Sequence, residues 1–133
     1  GLEKAPTQRL IKDLGPVPPL PLDRDQLGKV ITNLVLNAIE ASPPDGEVRI
    51  RTESTADGAV LTVSDQGCGM SPEFLQRSLF RPFQTTKKTG LGIGMFQSKM
   101  IVEAHRGRIA VASEKGKGTT FQVFLNKTAP APA

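Results

Sequence analysis

Residues 25–41, DQLGKVITNLVLNAIEA, decide how this chain reads: Leu27, Val30, Ile31, Leu34 and Ala38 recur at helical spacing, so the stretch is predicted to form an amphipathic helix. Asp23 or Asp25 can cap its start by accepting backbone N–H groups, and SPPDG (42–46) stops it. Beside the apolar stripe stand Lys29, Asn33, Asn37 and Glu40, at steps of four, four and three. That spacing makes a polar stripe on one flank of the same helix.

Outward from this helix the pattern changes period. EVRIRTEST (47–55) and AVLTVSD (59–65) alternate apolar and polar residues around Ala56-Asp57-Gly58, predicting a hairpin of two half-buried strands. Residues 66–90 are rich in Gly, Pro, Ser and Lys, with no more than a short helix near PEFLQRSLF (72–80). A loop of that length in a small domain is functional or mobile. A second amphipathic helix is predicted from Gly92 to Ala104, carrying Ile93, Met95, Phe96, Met100 and Ile101, and Gly107 ends it. Two more strands follow, RIAVASE (108–114) and TTFQVFL (119–125), joined by KGKG (115–118).

At the front, residues 1–22 end in GPVPPLPL, where proline blocks both helix and central strand, so they read as an extended lead-in. The domain proper is then 23–126, with 127–133 as a disordered tail. The order helix, two strands, long loop, helix, two strands predicts an α/β (α+β) two-layer sandwich, with helices packed on one face of a mixed, mostly antiparallel sheet.

At 133 residues the chain is one domain, so function belongs to one site. Its net charge of +4, from 17 Lys plus Arg against 13 Asp plus Glu, is spread along the sequence and suits a phosphate-bearing partner. With no Trp or Tyr, and six Phe placed in patterned segments, an aromatic surface for nucleic acid is not expected. One cysteine (Cys68) and one histidine (His105) allow neither an internal disulfide nor a Cys/His metal cluster. A reducing, cytoplasmic setting is the expectation, either free or as the cytoplasmic part of a membrane-bound sensor, and the domain should be monomeric.

Several segments carry chemistry. An amide oxygen is a hard, neutral ligand suited to Mg²⁺, which takes its remaining oxygens from water and phosphates, so Asn33 and Asn37 are candidates. Asp65 closes the second predicted strand beside Gly67 and Gly69, where a fixed carboxylate can accept a hydrogen bond from an exocyclic amine such as adenine N6. GLGIG (90–94) directly precedes the second helix, whose first N–H groups and dipole favour phosphate, and Lys87 and Lys88 stand just upstream. Phe80 and Phe83 flank Arg81-Pro82 in the long loop and need a surface to cover. Singly, each has an ordinary explanation: a solvated helix face, an Asp-initiated turn, a flexible glycine run. Cys68 reads as a small filler, and His105 as a favourable partner for a helix C-terminus.

In this order and spacing, NLVLNAIEA (33–41), DQGCGM (65–70), LFRPFQTTK (79–87), GLGIGM (90–95) and GKGTTF (116–121) resemble the N, G1, F, G2 and final glycine boxes of the GHKL (Bergerat) ATP-binding fold. The resemblance is specifically to the catalytic and ATP-binding domain of bacterial sensor histidine kinases, over about Asp23 to Leu125. It implies that the chain binds Mg-ATP, with Asn37 holding Mg²⁺ and the phosphates and Asn33 and Lys29 beside it. Asp65 would read adenine, Gly67 and Gly69 would shape the base pocket, and Thr119 would join the nucleotide site. Gly90, Leu91, Gly92 and Gly94 would cradle phosphate. A lid over 71–89 would bring Phe80, Thr86 and Lys87, with Lys87 near the γ-phosphate; its PFQTTK is similar to the nitrogen-regulation type of sensor kinase. Asn33, Asn37 and Lys87 form the implied catalytic set. Arg81 departs from an often acidic F-box position, and Arg106 from a common Gly.

The implied activity is donation of the γ-phosphoryl group to a histidine on a separate dimerisation domain, upstream of a response regulator. Residues 1–22 contain no such histidine. The alternatives are an ATPase-type conformational switch and a nucleotide-binding regulatory module without transfer. Hydrolytic relatives place a Glu base four residues before the magnesium Asn, where this chain has Asn33, an amide that cannot take a proton.

Overall fold

The helix predicted from residues 25–41 is the scaffold's centre, and a computed structural model that describes residues 9–77 and 91–127 places it as α1, Arg24–Ala41. Of the two capping candidates Asp23 does the work, its Oδ1 accepting the Gln26 N–H at 3.0 Å. At the other end the Ser42 hydroxyl donates to the Ala38 carbonyl at 2.7 Å, and Pro43-Pro44 forbid a further turn. Leu27, Val30, Leu34 and Ala38 are buried, but Ile31 is 38% exposed. It sits a hundred degrees around the helix from Val30, on the flank past the main sheet contact.

Among the described residues the sheet has five strands: β1 (Arg9–Leu14), β2 (Glu47–Ser54), β3 (Gly58–Asp65), β4 (Arg108–Glu114) and β5 (Gly118–Asn126), in spatial order β1-β2-β3-β5-β4. Only β1 and β2 run parallel; the other three pairings are antiparallel. Strands β2 to β5 lie where their alternation predicts. Val48 and Ile50, Leu61 and Val63, and Phe121, Val123 and Leu125 point to the helix side and form the core with Met95 and Val102 of α3 (Leu91–Ala104). Helices α1 and α3 pack on that face, as expected for the two-layer sandwich. A short α2, Pro72–Arg77, opens the long loop, and residues 78–90 lie outside the described set, as do 1–8 and the tail 128–133.

The extended lead-in of residues 1–22 includes a strand, β1, that the sequence reading did not single out. RLIKDL (9–14) pairs in parallel with β2, and the proline run Pro16, Pro18, Pro19 and Pro21 begins only after the strand is complete. An edge strand needs only one hydrogen-bonded neighbour, and its charged, mostly exposed residues gave no apolar alternation to detect. Arg9 bonds Glu47 at 3.0 Å on the outer face, while the Thr52 hydroxyl donates to the Gly15 carbonyl at 2.9 Å and that of Ser54 to Pro16 at 2.7 Å. The Pro-rich segment is thereby laid along the sheet edge.

The stop of α3 also differs from expectation. The Gly107 N–H donates to the Val102 carbonyl at 2.9 Å and the Arg106 N–H to that of Glu103 at 3.0 Å, the paired bonds of a Schellman motif. The left-handed residue in it is Arg106, at φ 60°, and not Gly107. Gly107 is needed for another reason: a Cβ there would stand 2.5 Å from the Phe124 carbonyl oxygen. Inside α1, by contrast, Gly28 costs about 1 kcal/mol relative to alanine, yet a Cβ would meet nothing within 4 Å.

Arg106→Gly should therefore raise stability by about 1 kcal/mol, and Gly107→Ala should lower it. Urea unfolding midpoints read both; an Arg106→Gly variant no more stable than its parent would remove the strain argument.

Candidate functional site

Because the apolar stripe of α1 turns toward the sheet, its polar stripe of Lys29, Asn33, Asn37 and Glu40 falls on the flank facing α3. Asn33 shows this directly: its Nδ2 donates to the Ser98 hydroxyl of α3 at 3.3 Å, and Ser98 is fully buried. At the far end of α3, His105 Nε2 accepts the Asp23 N–H at 3.1 Å, while Nδ1 lies 2.8 Å from the Ile101 carbonyl. With Nε2 as the acceptor, Nδ1 is the ring nitrogen that donates to the Ile101 carbonyl. These bonds also show that α1 and α3 run antiparallel. The first turn of α3 thus lies toward the Asn37 end of α1.

That first turn contains Leu91, Gly92 and Gly94, so these residues are inside the helix and not ahead of it. Its N–H groups still lack carbonyl partners within the helix, as at any helix start. Of the other expected residues, Phe80, Thr86, Lys87 and Gly90 lie outside the described set, together with Arg81, Phe83 and Lys88.

The end of β3 comes to the same place. Asp65 Oδ1 accepts the Gly67 N–H at 2.8 Å, and Asp65 is in register with Thr119 of β5. The turn after it is clamped on both sides: the Cys68 N–H donates to the Ala41 carbonyl at the end of α1, and the Cys68 carbonyl accepts the Gly116 N–H of the β4–β5 turn at 2.7 Å. A Cβ on Gly67 would stand 2.2 Å from the Ala41 oxygen, and one on Gly69, at φ 71°, 2.0 Å from that of Glu114. Their missing side chains serve this packing, where the sequence suggested a turn and room for a ligand. Ser113 completes the clamp, accepting the Met70 N–H at 2.8 Å and lying 2.7 Å from the Thr119 hydroxyl.

Asn37 on α1, Asp65 and Thr119 at adjacent strand ends, and the α3 N-terminus therefore lie toward one end of the sandwich, with Asn33 one turn further back along α1. Both asparagines are half-buried. Among the described residues no group of three or more His, Cys, Asp or Glu could hold a metal, and the amide oxygens of Asn33 and Asn37 suit a Mg²⁺ that takes its other oxygens from water and a ligand's phosphates. The Ser98 bond suits this, because using Nδ2 as donor orients the Asn33 amide. Sequence reading missed Ser98 and Ser113. The signal for Ser98 was a hydroxyl between Met95 and Val102 on the buried face of α3; Ser113 gave none. No helix among the described residues is long and apolar enough to cross a membrane.

Residues 22–129 match the family described as histidine kinase-, DNA gyrase B-, and HSP90-like ATPase. The chain is 40% identical over 108 residues to the signal transduction histidine-protein kinase AtoS of Escherichia coli, covering 80% of this chain and 18% of AtoS. It is 39% identical over 110 residues to sporulation kinase E of Bacillus subtilis, covering 82% and 15%. It thus spans less than a fifth of either relative. Among solved structures, the mycobacterial sensor histidine kinase MprB superposes with a TM-score of 0.81 at 26% identity, over 93% of this chain and 85% of that one. The catalytic domain of histidine kinase ThkA gives 0.78 at 27%, over 91% and 80%.

Ser98→Ala should cost about 1–2 kcal/mol, since it removes a buried partner of the Asn33 amide. Thermal unfolding measures this; an unchanged midpoint would show that the two helices are not joined through that bond.

Proposed function

The chain belongs to the histidine kinase-, DNA gyrase B-, and HSP90-like ATPase family, and on that premise we propose that it binds Mg-ATP and donates the γ-phosphoryl group to a histidine on another domain of the same kinase. The observation that carries this reading is that the Asn37 end of α1, the Asp65 turn and the first turn of α3 lie at one end of the fold, with Asn33 on the same flank of α1 one turn back. Asp65 accepts the adenine amine, with Gly67, Gly69 and Thr119 shaping the base end. Leu91, Gly92 and Gly94 offer backbone N–H groups to the phosphates, joined by Gly90. Asn37 holds Mg²⁺, with Asn33 and Lys29 beside it, and Phe80, Thr86 and Lys87 act from the lid. A cation held there would offset the negative charge that develops on the phosphates during transfer.

Transfer, not hydrolysis, fits the residues. Phosphoryl transfer asks for position and charge neutralisation, both of which this site can supply. Attack by water asks for a base, and the position it would occupy is an amide already bonded to Ser98. The nucleophile then comes from a histidine-bearing dimerisation domain, and the phosphoryl group passes on to a response regulator, in a cytoplasmic setting.

Incubation of the chain with labelled ATP and the histidine-bearing domain should give an acid-labile phosphoprotein; steady ATP hydrolysis with no partner would overturn the assignment. Asn37→Ala should abolish the Mg²⁺-dependent part of ATP affinity. Asp65→Asn should reduce preference for ATP over GTP by roughly tenfold or more, the value of a hydrogen bond to a charged group. Titrations with both nucleotides, with and without Mg²⁺, decide; unchanged binding in both variants would sink the site.

A further inference from the structure

Beside the candidate site, on the outward side of α1, lies a cleft of about 430 Å³. Arg24, Asp25, Gly28 and Thr32 of α1 line it, together with Gln97 of α3. Lys29 and Asn33 line it too, so the cleft is continuous with the flank assigned to the phosphates. Gly28 has no role in the packing of this domain: it is exposed, and a side chain there would meet nothing within 4 Å. A glycine held at a helix-interior position against its propensity, with open space above it, fits a position where another backbone comes close.

We propose that this cleft seats the segment carrying the phosphoacceptor histidine, and that Gly28 is a positioning residue which lets that segment approach the γ-phosphate. The inference rests on the functional reading above. Transfer requires the attacking nitrogen within about 3–3.5 Å of phosphorus, so the acceptor must lie against the surface next to the phosphates. The cleft shares two residues with that place. The acceptor also has to come from outside these 133 residues' ATP site, and the relatives that match the chain are more than five times as long as the matched region. Leu36 lies two turns along the same side of α1 and is 53% exposed, offering an apolar contact to a seated partner.

The test uses Gly28→Ala and Gly28→Leu, with ATP affinity, unfolding midpoint and transfer to the histidine-bearing domain each measured. Both variants should bind ATP as the parent does, and the alanine variant should unfold at higher denaturant. Gly28→Leu should raise KM for the acceptor domain by about tenfold or more, with kcat at saturating acceptor much less affected. Transfer by Gly28→Leu equal to that of the parent would overturn the docking while leaving the kinase reading intact. Loss of ATP affinity would assign the cleft to the nucleotide instead, and a parent dimer dissolved by Gly28→Leu would assign it to a second copy of the chain. A parent that binds ATP yet labels no histidine would fail the functional reading, and this inference with it.

Discussion

Burial of Leu27, Val30, Leu34 and Ala38 against β2, β3 and β5 sets the rotation of α1 about its own axis, and the site inherits its geometry from that rotation. Each larger side chain in the stripe contributes about 1.5–3 kcal/mol by leaving water, enough that no other rotation competes. With the apolar stripe so placed, residues at Lys29, Asn33 and Asn37 must face α3, because helical residues four apart share a flank. The polar stripe needs no separate positioning device. Asn33 adds a local one by bonding Ser98, which ties the two helices at mid-length, while His105 ties them at one end through the Asp23 backbone.

The Asp65 end of the fold, where we propose that the base sits, is organised by backbone and not by burial. β3 and β5 end side by side, and the DQGCGM turn is held between the last carbonyl of α1 and the β4–β5 turn. This is why two glycines are spaced around Cys68: each approaches a carbonyl too closely for any Cβ. The Asp65 carboxylate is fixed by the Gly67 N–H, so its orientation is set before any ligand arrives. Preorganisation of that kind lowers the ordering cost of binding.

Elements with strong periodicity were legible. α1 and the strands β2 to β5 fall within a residue or two of their predicted bounds, since alternation and helical spacing report directly on which face is buried. β1 was not legible, because an edge strand held by backbone pairing to β2 on one side, with Leu10 and Ile11 adjacent, shows no apolar alternation. Arg106 could be noticed as a departure from glycine, but its left-handed backbone follows from how α3 meets β4 and Phe124. Ser113 was invisible for the same kind of reason: its partners, Met70 and Thr119, are brought to it only by strand pairing and the turn that follows β3.

By itself the sequence determined the residue types of the site, their order and the flank of α1 on which the asparagines stand, because these follow from local spacing. The tertiary structure alone decided that this flank, the Asp65 turn and the start of α3 meet at one end. Asn33 and Ser98 are 65 residues apart in sequence, and only packing on a shared sheet can close that distance. It also decided which glycines serve packing, at Gly67, Gly69 and Gly107, and which does not, at Gly28, since a missing Cβ has meaning only against the atoms that would surround it.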